Sequence, residues 1–159
     1  MSPSDWKLTA EQRSLLIKSA FEAKEGSYSP YSKFPVGAAL LAPDGKIVKG
    51  ANIENASYGG TICAERTAVV KAASEGIRSF IGVSVVTDLT TPASPCGICR
   101  QVLREFCALE TPVLLVPSDY PQKEQKKGYG EGGVRETTLG ELLPDSFGPE
   151  HLGKPSPSA

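Results

Sequence analysis

The chain has 159 residues and a formal net charge of −1, from 17 basic and 18 acidic side chains. With hydrophobic residues at 40% and charged residues at 22%, it fits an ordinary globular protein, and the balanced charge argues against a surface built to hold duplex nucleic acid or an anionic membrane. This length is enough for one domain with a core of its own, expected over residues 1–159 with a loose tail from about 149.

Met1-Ser2-Pro3-Ser4-Asp5-Trp6 carries neither a basic run nor an apolar one, and no stretch approaches a membrane span. The expected compartment is therefore the cytosol. Thiols stay reduced there, so Cys63, Cys96, Cys99 and Cys107 read better as ligands than as disulfides.

Thr9-Ala10-Glu11-Gln12 has the spacing of a capping box, and Leu16, Ala20 and Ala23 follow at helical spacing, predicting a helix over about 10–25 that stops at Gly26. Tyr28 to Pro35 is too rich in proline and serine for regular structure, yet its three aromatics need something to pack on. Val36–Leu41 and Ile47–Ala51 flank the turn Pro43-Asp44-Gly45-Lys46 and predict a β-hairpin. Asn52 to Gly60 is a loop. Thr61 is a candidate N-cap for an alanine-rich helix from Cys63 to Glu75. Phe80–Thr87 and Thr111–Val116 read as buried strands, with a helix from Cys96 to Phe106 between them. Residues 117–133 form a polar surface loop. Val134–Thr137 adds a short strand, and the capping box Thr138-Leu139-Gly140-Glu141 opens a brief helix stopped by Pro144. The order predicts an α/β fold with three layers, α/β/α, around a mixed sheet of about five strands.

Two clusters carry the chemistry. Cys63-Ala64-Glu65 is a C-x-E motif, and Pro95-Cys96-Gly97-Ile98-Cys99 is a P-C-x-x-C motif. Together they offer three thiolates for one zinc and leave the fourth tetrahedral position open, as a catalytic site requires. Cys96 and Cys99 share a helix face at spacing i, i+3. Glu65 sits about 200° around from Cys63 and has to reach over the first helical turn to that position, where it would move a proton. Three thiolates on one Zn²⁺ carry an excess negative charge, which Arg66 is placed to offset. Cys107 lies far along the same helix as Cys99 and is read as a core residue. His151 is read as a solvated tail residue, and the lysine-rich run at 123–127 as a solvated loop.

The paired motifs resemble the signature of zinc nucleobase deaminases. The likeness sharpens with Phe34-Pro35-Val36-Gly37-Ala38-Ala39, Asn52-Ile53-Glu54-Asn55-Ala56, Cys63-Ala64-Glu65-Arg66-Thr67, Pro95 to Gln101 and Glu141-Leu142-Leu143-Pro144. These resemble the small homotetrameric cytidine deaminases of pyrimidine salvage, over about Leu15 to Glu150. The resemblance implies a cytidine deaminase-like fold and one zinc per chain on Cys63, Cys96 and Cys99, with Glu65 as the proton shuttle. It implies that Asn52 and Glu54 bond the ribose, that Phe34 packs on the pyrimidine, and that the backbone at Ala64 touches the base. Tyr58 and Phe147 would help complete pockets near subunit interfaces of a homotetramer. The implied reaction is attack at C4 of cytidine or deoxycytidine, protonation by Glu65 and loss of ammonia.

Other readings of the same residues stay open at this point. Deaminases of cytosine-nucleoside antibiotics share the zinc motifs, although the Asn52–Asn55 stretch favours the plain nucleoside. A zinc-stabilised binding module without turnover would use the cysteines but would give Glu65 no task. Without the resemblance, Asn52 and Glu54 read as loop residues and Phe34 and Phe147 as packing.

Overall fold

The computed structural model describes residues 7–124 and 126–157. The reading of Met1–Trp6, Gln125 of the lysine-rich run and the last two tail residues lie outside them.

Helix α1 spans Ala10–Lys24, and the expected capping box forms: Gln12 N donates to Thr9 Oγ1 at 3.1 Å, and Thr9 N donates to Gln12 Oε1 at 2.9 Å. The hairpin strands are β1, Gly37–Leu41, and β2, Ile47–Ala51. Helix α2, Ala64–Ser74, leads to strand β3, Gly82–Val86. Helix α3, Gly97–Phe106, then carries the chain to strand β4, Pro112–Val116. Strand β5, Arg135–Thr138, runs into the single-turn helix α4, Leu139–Leu142, capped by the second predicted box.

The five strands form one mixed sheet in the order β2-β1-β3-β4-β5. Only β3 and β4 are parallel, since α3 supplies the crossover that a parallel pair needs. Side chains alternate across a strand, and the central strands therefore feed two cores. Ala38, Leu40, Val83, Val85, Val113 and Leu115 face α2 and α3. Ala39, Leu41, Val86, Leu114 and Val116 face Leu16, Ile17 and Ala20 of α1. Burial on both faces is why these strands, Ser84 apart, are apolar at successive positions rather than alternating.

Two details differ from expectation. Thr61 does not cap α2; its hydroxyl accepts from Asn55 N at 3.2 Å, and Cys63 is the N-cap. The physical reason is a bridge between Ile53 and Ile62, which ties Thr61 into the preceding loop. The tail also holds structure past 149. Pro149–Leu152 form a 3₁₀ turn, anchored where Glu150 meets the buried Arg104 of α3. A guanidinium excluded from water needs such a partner.

Candidate active site

Helices α2 and α3 lie on one face of the sheet, and each begins directly after a cysteine. Cys63 is the N-cap of α2 and Cys96 the N-cap of α3, both with extended backbone. The positive ends of two helix dipoles thus meet the same group of sulfurs and favour thiolate over thiol. Cys96 Sγ also accepts from Cys99 N at 3.5 Å.

The sulfurs of Cys63, Cys96 and Cys99 all lie within 4.8 Å of one another, with Cys63 and Cys96 3.9 Å apart. A tetrahedral zinc with bonds of about 2.3 Å would hold its sulfurs about 3.8 Å apart. The observed separation therefore fits zinc and is far longer than the ~2 Å of a disulfide. No other cluster of three such ligands occurs among the described residues.

Arg66, on the first turn of α2, points its Nη2 to Cys63 Sγ at 3.6 Å and to Thr61 O at 3.5 Å. Its own pKa is raised, chiefly by the bond to Cys63. The Cys63 thiol is depressed to about 5 by hydrogen bonds from Cys99, Arg66 and Cys96. Glu65 is 4% exposed. Burial, with a smaller push from the charge on Cys63, lifts its carboxyl to about 7. A carboxyl in that range takes up and releases a proton near neutral pH.

Beside the sulfurs opens a cavity of about 520 Å³. Cys63, Ala64 and Glu65 form one end, Phe34, Val36 and Val85 give it apolar wall, and Asn52 and Glu54 supply polar groups elsewhere. Among the described residues, none lining it carries a positive charge. The loop before β1 is fixed to the segment after β2 by Asn52. Its Nδ2 donates to Phe34 O at 2.9 Å, while its Oδ1 accepts from Val36 N at 2.8 Å and from Ser27 Oγ at 2.5 Å. Asn52 thus builds the pocket wall, and those bonds use only one of its two amide hydrogens.

The match to the model of the cytidine and deoxycytidylate deaminase zinc-binding region covers residues 10–115, from α1 into β4 and through both cysteine clusters. The chain belongs to the cytidine and deoxycytidylate deaminase family. It is 50% identical over 140 residues to a cytidine deaminase of Halalkalibacterium halodurans, covering 88% of this chain and 97% of that protein. It is 41% identical over 152 residues to one of Mycobacterium tuberculosis, covering 96% of each. Among solved structures, the cytidine deaminase of Burkholderia pseudomallei matches with a TM-score of 0.70 at 40% identity, over 88% of this chain and 100% of the other.

This deaminase-family chain has the family's zinc-binding region, and the sulfur geometry fits that ion. Of the sequence-predicted residues, Phe34, Asn52, Glu54, Ala64 and Glu65 line one cavity with Cys63, and Cys96 and Cys99 stand beside it. Tyr58 and Phe147 do not line it. Tyr58 is 76% exposed and lies with Tyr31, Ser32, Glu54 and Thr61 around a neighbouring cavity of about 270 Å³. Phe147 is 56% exposed and stacks on His151, with ring centres 5.2 Å apart. Arg100 was not singled out from the sequence. It fastens the loop carrying Cys96, through Nε to Pro95 O at 2.7 Å, Nη2 to Ser94 Oγ at 2.7 Å and Nη1 to Leu142 O at 2.6 Å. The available signal was its place four residues after Cys96, on the same helical face.

Proposed function

We propose that this chain catalyses hydrolytic deamination of cytidine and 2′-deoxycytidine to uridine and 2′-deoxyuridine, releasing ammonia. The observation that carries the reading is one cavity that joins the sulfur cluster and the buried Glu65 carboxyl at one end to the Phe34 ring and the polar side chains of Asn52 and Glu54. Zinc bound by Cys63, Cys96 and Cys99 supplies the Lewis acidity that makes water nucleophilic near neutral pH.

The chain's own groups do the rest. Phe34 offers a ring face for the pyrimidine, since stacking suits any base and needs no polar match. Backbone at Ala64 bounds the base next to the reacting carbon. Glu54 accepts from ribose hydroxyls, and the spare amide hydrogen of Asn52 donates to one. Glu65 takes one proton from the attacking water and gives it to the ring nitrogen of the base, then carries the second proton from the added hydroxyl to the amine, so that one water is consumed, the C4–N bond breaks and ammonia leaves. Arg66 offsets the excess negative charge of the thiolates. Two carboxyl groups and, among the described residues, no lysine or arginine on the cavity wall favour an uncharged nucleoside over a 5′-phosphate.

A homotetramer is the proposed assembly, with Tyr58 and Phe147 completing sites near subunit contacts. In its support, Tyr28, Tyr31, Ile53, Tyr58 and Ile62 are all exposed apolar side chains of the segments beside the pocket. Reduced thiols are needed for zinc ligation, which supports placement in the cytosol, and turnover of free nucleosides would place the reaction in pyrimidine salvage.

The decisive experiment mixes zinc-loaded protein with cytidine, deoxycytidine and cytosine and follows ammonia release and ultraviolet change beside Glu65→Gln. Turnover of both nucleosides, little of cytosine, and a roughly 10²–10⁴-fold loss in a variant that keeps its zinc is the expected result. A zinc-loaded protein that turns over none of them would refute it and point to an antibiotic-nucleoside deaminase or a non-catalytic module.

A further inference from the structure

We infer that Ser32 is a positioning residue that sets how Glu54 and Phe34 meet a nucleoside. The inference rests on the reading of the cavity as a nucleoside pocket.

The Glu54 carboxylate is held by Ser32 alone among the described residues. Ser32 N lies 3.2 and 3.1 Å from its two oxygens, and Ser32 Oγ donates to Oε1 at 2.7 Å. The same hydroxyl oxygen accepts from Phe34 N at 3.1 Å. A serine hydroxyl has a single proton. Here it goes to Glu54, so Ser32 acts through that carboxylate instead of donating to the substrate. One side chain thereby links the carboxylate proposed to read the sugar to the backbone of the aromatic proposed to stack the base.

The backbone between them is shaped for this link. Lys33 has a φ of 58°, an uncommon value for a residue with a Cβ, and its N–H donates to Ser29 O at 3.0 Å. That left-handed residue turns Phe34 N back toward the Ser32 hydroxyl. A sparsely populated backbone state persists only where surrounding bonds fix it.

Glu54 also stands between two spaces. It lines the main cavity with Phe34 and Glu65, and it lines the smaller one with Tyr31 and Tyr58. Ser32 borders both. Without the hydroxyl the carboxylate keeps only the backbone N–H of residue 32 and is freer to turn into the smaller cavity. In the variant, binding would then have to order a side chain that the wild-type chain already holds in place, and affinity would fall. Chemistry at Glu65 would be untouched, so the loss belongs in KM and not in kcat.

The test compares full-length zinc-loaded wild type with Ser32→Ala and Ser32→Thr, each also in a Glu54→Gln background. Expected for Ser32→Ala are a KM for cytidine raised about three- to tenfold, kcat within about twofold and zinc content unchanged. Ser32→Thr keeps the hydroxyl and restores KM. In the Glu54→Gln background, Ser32→Ala raises KM less than in wild type, since the part of its effect that runs through the carboxylate is already gone and only its hold on Phe34 N remains. An unchanged KM, equal effects in both backgrounds, or a loss shared with zinc content and not rescued by threonine would overturn the inference. A crystal structure of Ser32→Ala gives the readout that does not depend on turnover. Glu54 in its original place there refutes positioning, whereas wild type inactive on nucleosides refutes the pocket's proposed function instead.

Discussion

A Cβ built on Gly50 of β2 would come within 2.3 Å of the Ala68 amide nitrogen of α2. It would also lie 2.6 Å from Ala64 O, in the first turn of the same helix. Helix α2 therefore rests its backbone directly on the sheet, and the height of that contact sets where Cys63 and Glu65 stand. Gly50→Ala is expected to lift the helix. The cost should be about 1–3 kcal/mol, typical of overpacking, with weaker zinc binding besides. Thermal unfolding and a chelator competition check both. Unchanged zinc affinity would mean that the site tolerates a displaced α2.

Arg66 is the only cation whose side chain meets the sulfur cluster among the described residues. Its Nε is buried without a hydrogen-bond partner, and Nη2 ties the group to Cys63 Sγ and Thr61 O. Arg66→Ala should leave three thiolates with uncompensated charge, release zinc faster to a chelator and lower turnover. Zinc retention and kcat both at wild-type levels would remove the charge-balancing role.

Arg100 holds the second ligand loop through three donors in a fixed planar fork. Lysine cannot reproduce that fork, because it offers one ammonium in place of three separated N–H groups. Arg100→Lys is thus expected to free Ser94 and Pro95, loosen Cys96 and weaken zinc about 10- to 100-fold, as loss of groups that orient metal ligands commonly does. A competitive zinc titration measures this directly, and lysine matching wild type would make Arg100 a mere helix residue.

Much of this was legible in the sequence because the signals were local. Thr9 and Gln12, or Thr138 and Glu141, satisfy each other across three residues, and each pair marks a helix start without any tertiary partner. Cys96 and Cys99 are three residues apart at the start of one helix, so the convergence of their sulfurs was readable from spacing. The apolar runs at Val83–Val86 and Val113–Val116 announced strands buried on both faces. What was not legible depends on residues far apart in the chain. Ser32 meets Glu54 across 22 positions, Arg100 meets Leu142 across 42, and Arg104 meets Glu150 across 46. Nothing local distinguishes such side chains from solvated ones. For the same reason a proline- and serine-rich tail looked loose, although Arg104 anchors its first turn.

Cys107 offers a test of burial away from the metal. It is the C-cap of α3, 1% exposed, and its thiol is pushed up to about 12 by burial alone. The ordinary value is 9.0. Below that value both folded and unfolded chains keep the proton, and the full stability is present. Above it the unfolded chain loses the proton while the folded one holds it, so stability falls by about 1.4 kcal/mol per pH unit until the folded value is passed. Cys107→Ala removes this contribution. The variant should start less stable near neutral pH, because a buried sulfur is lost, and should then lose stability less steeply than wild type between about pH 9 and 11. Urea midpoints of the zinc-loaded proteins across that window measure the difference, in which the lysines and tyrosines common to both cancel. Parallel curves would show that the Cys107 thiol ionises in the folded chain as readily as in the unfolded one.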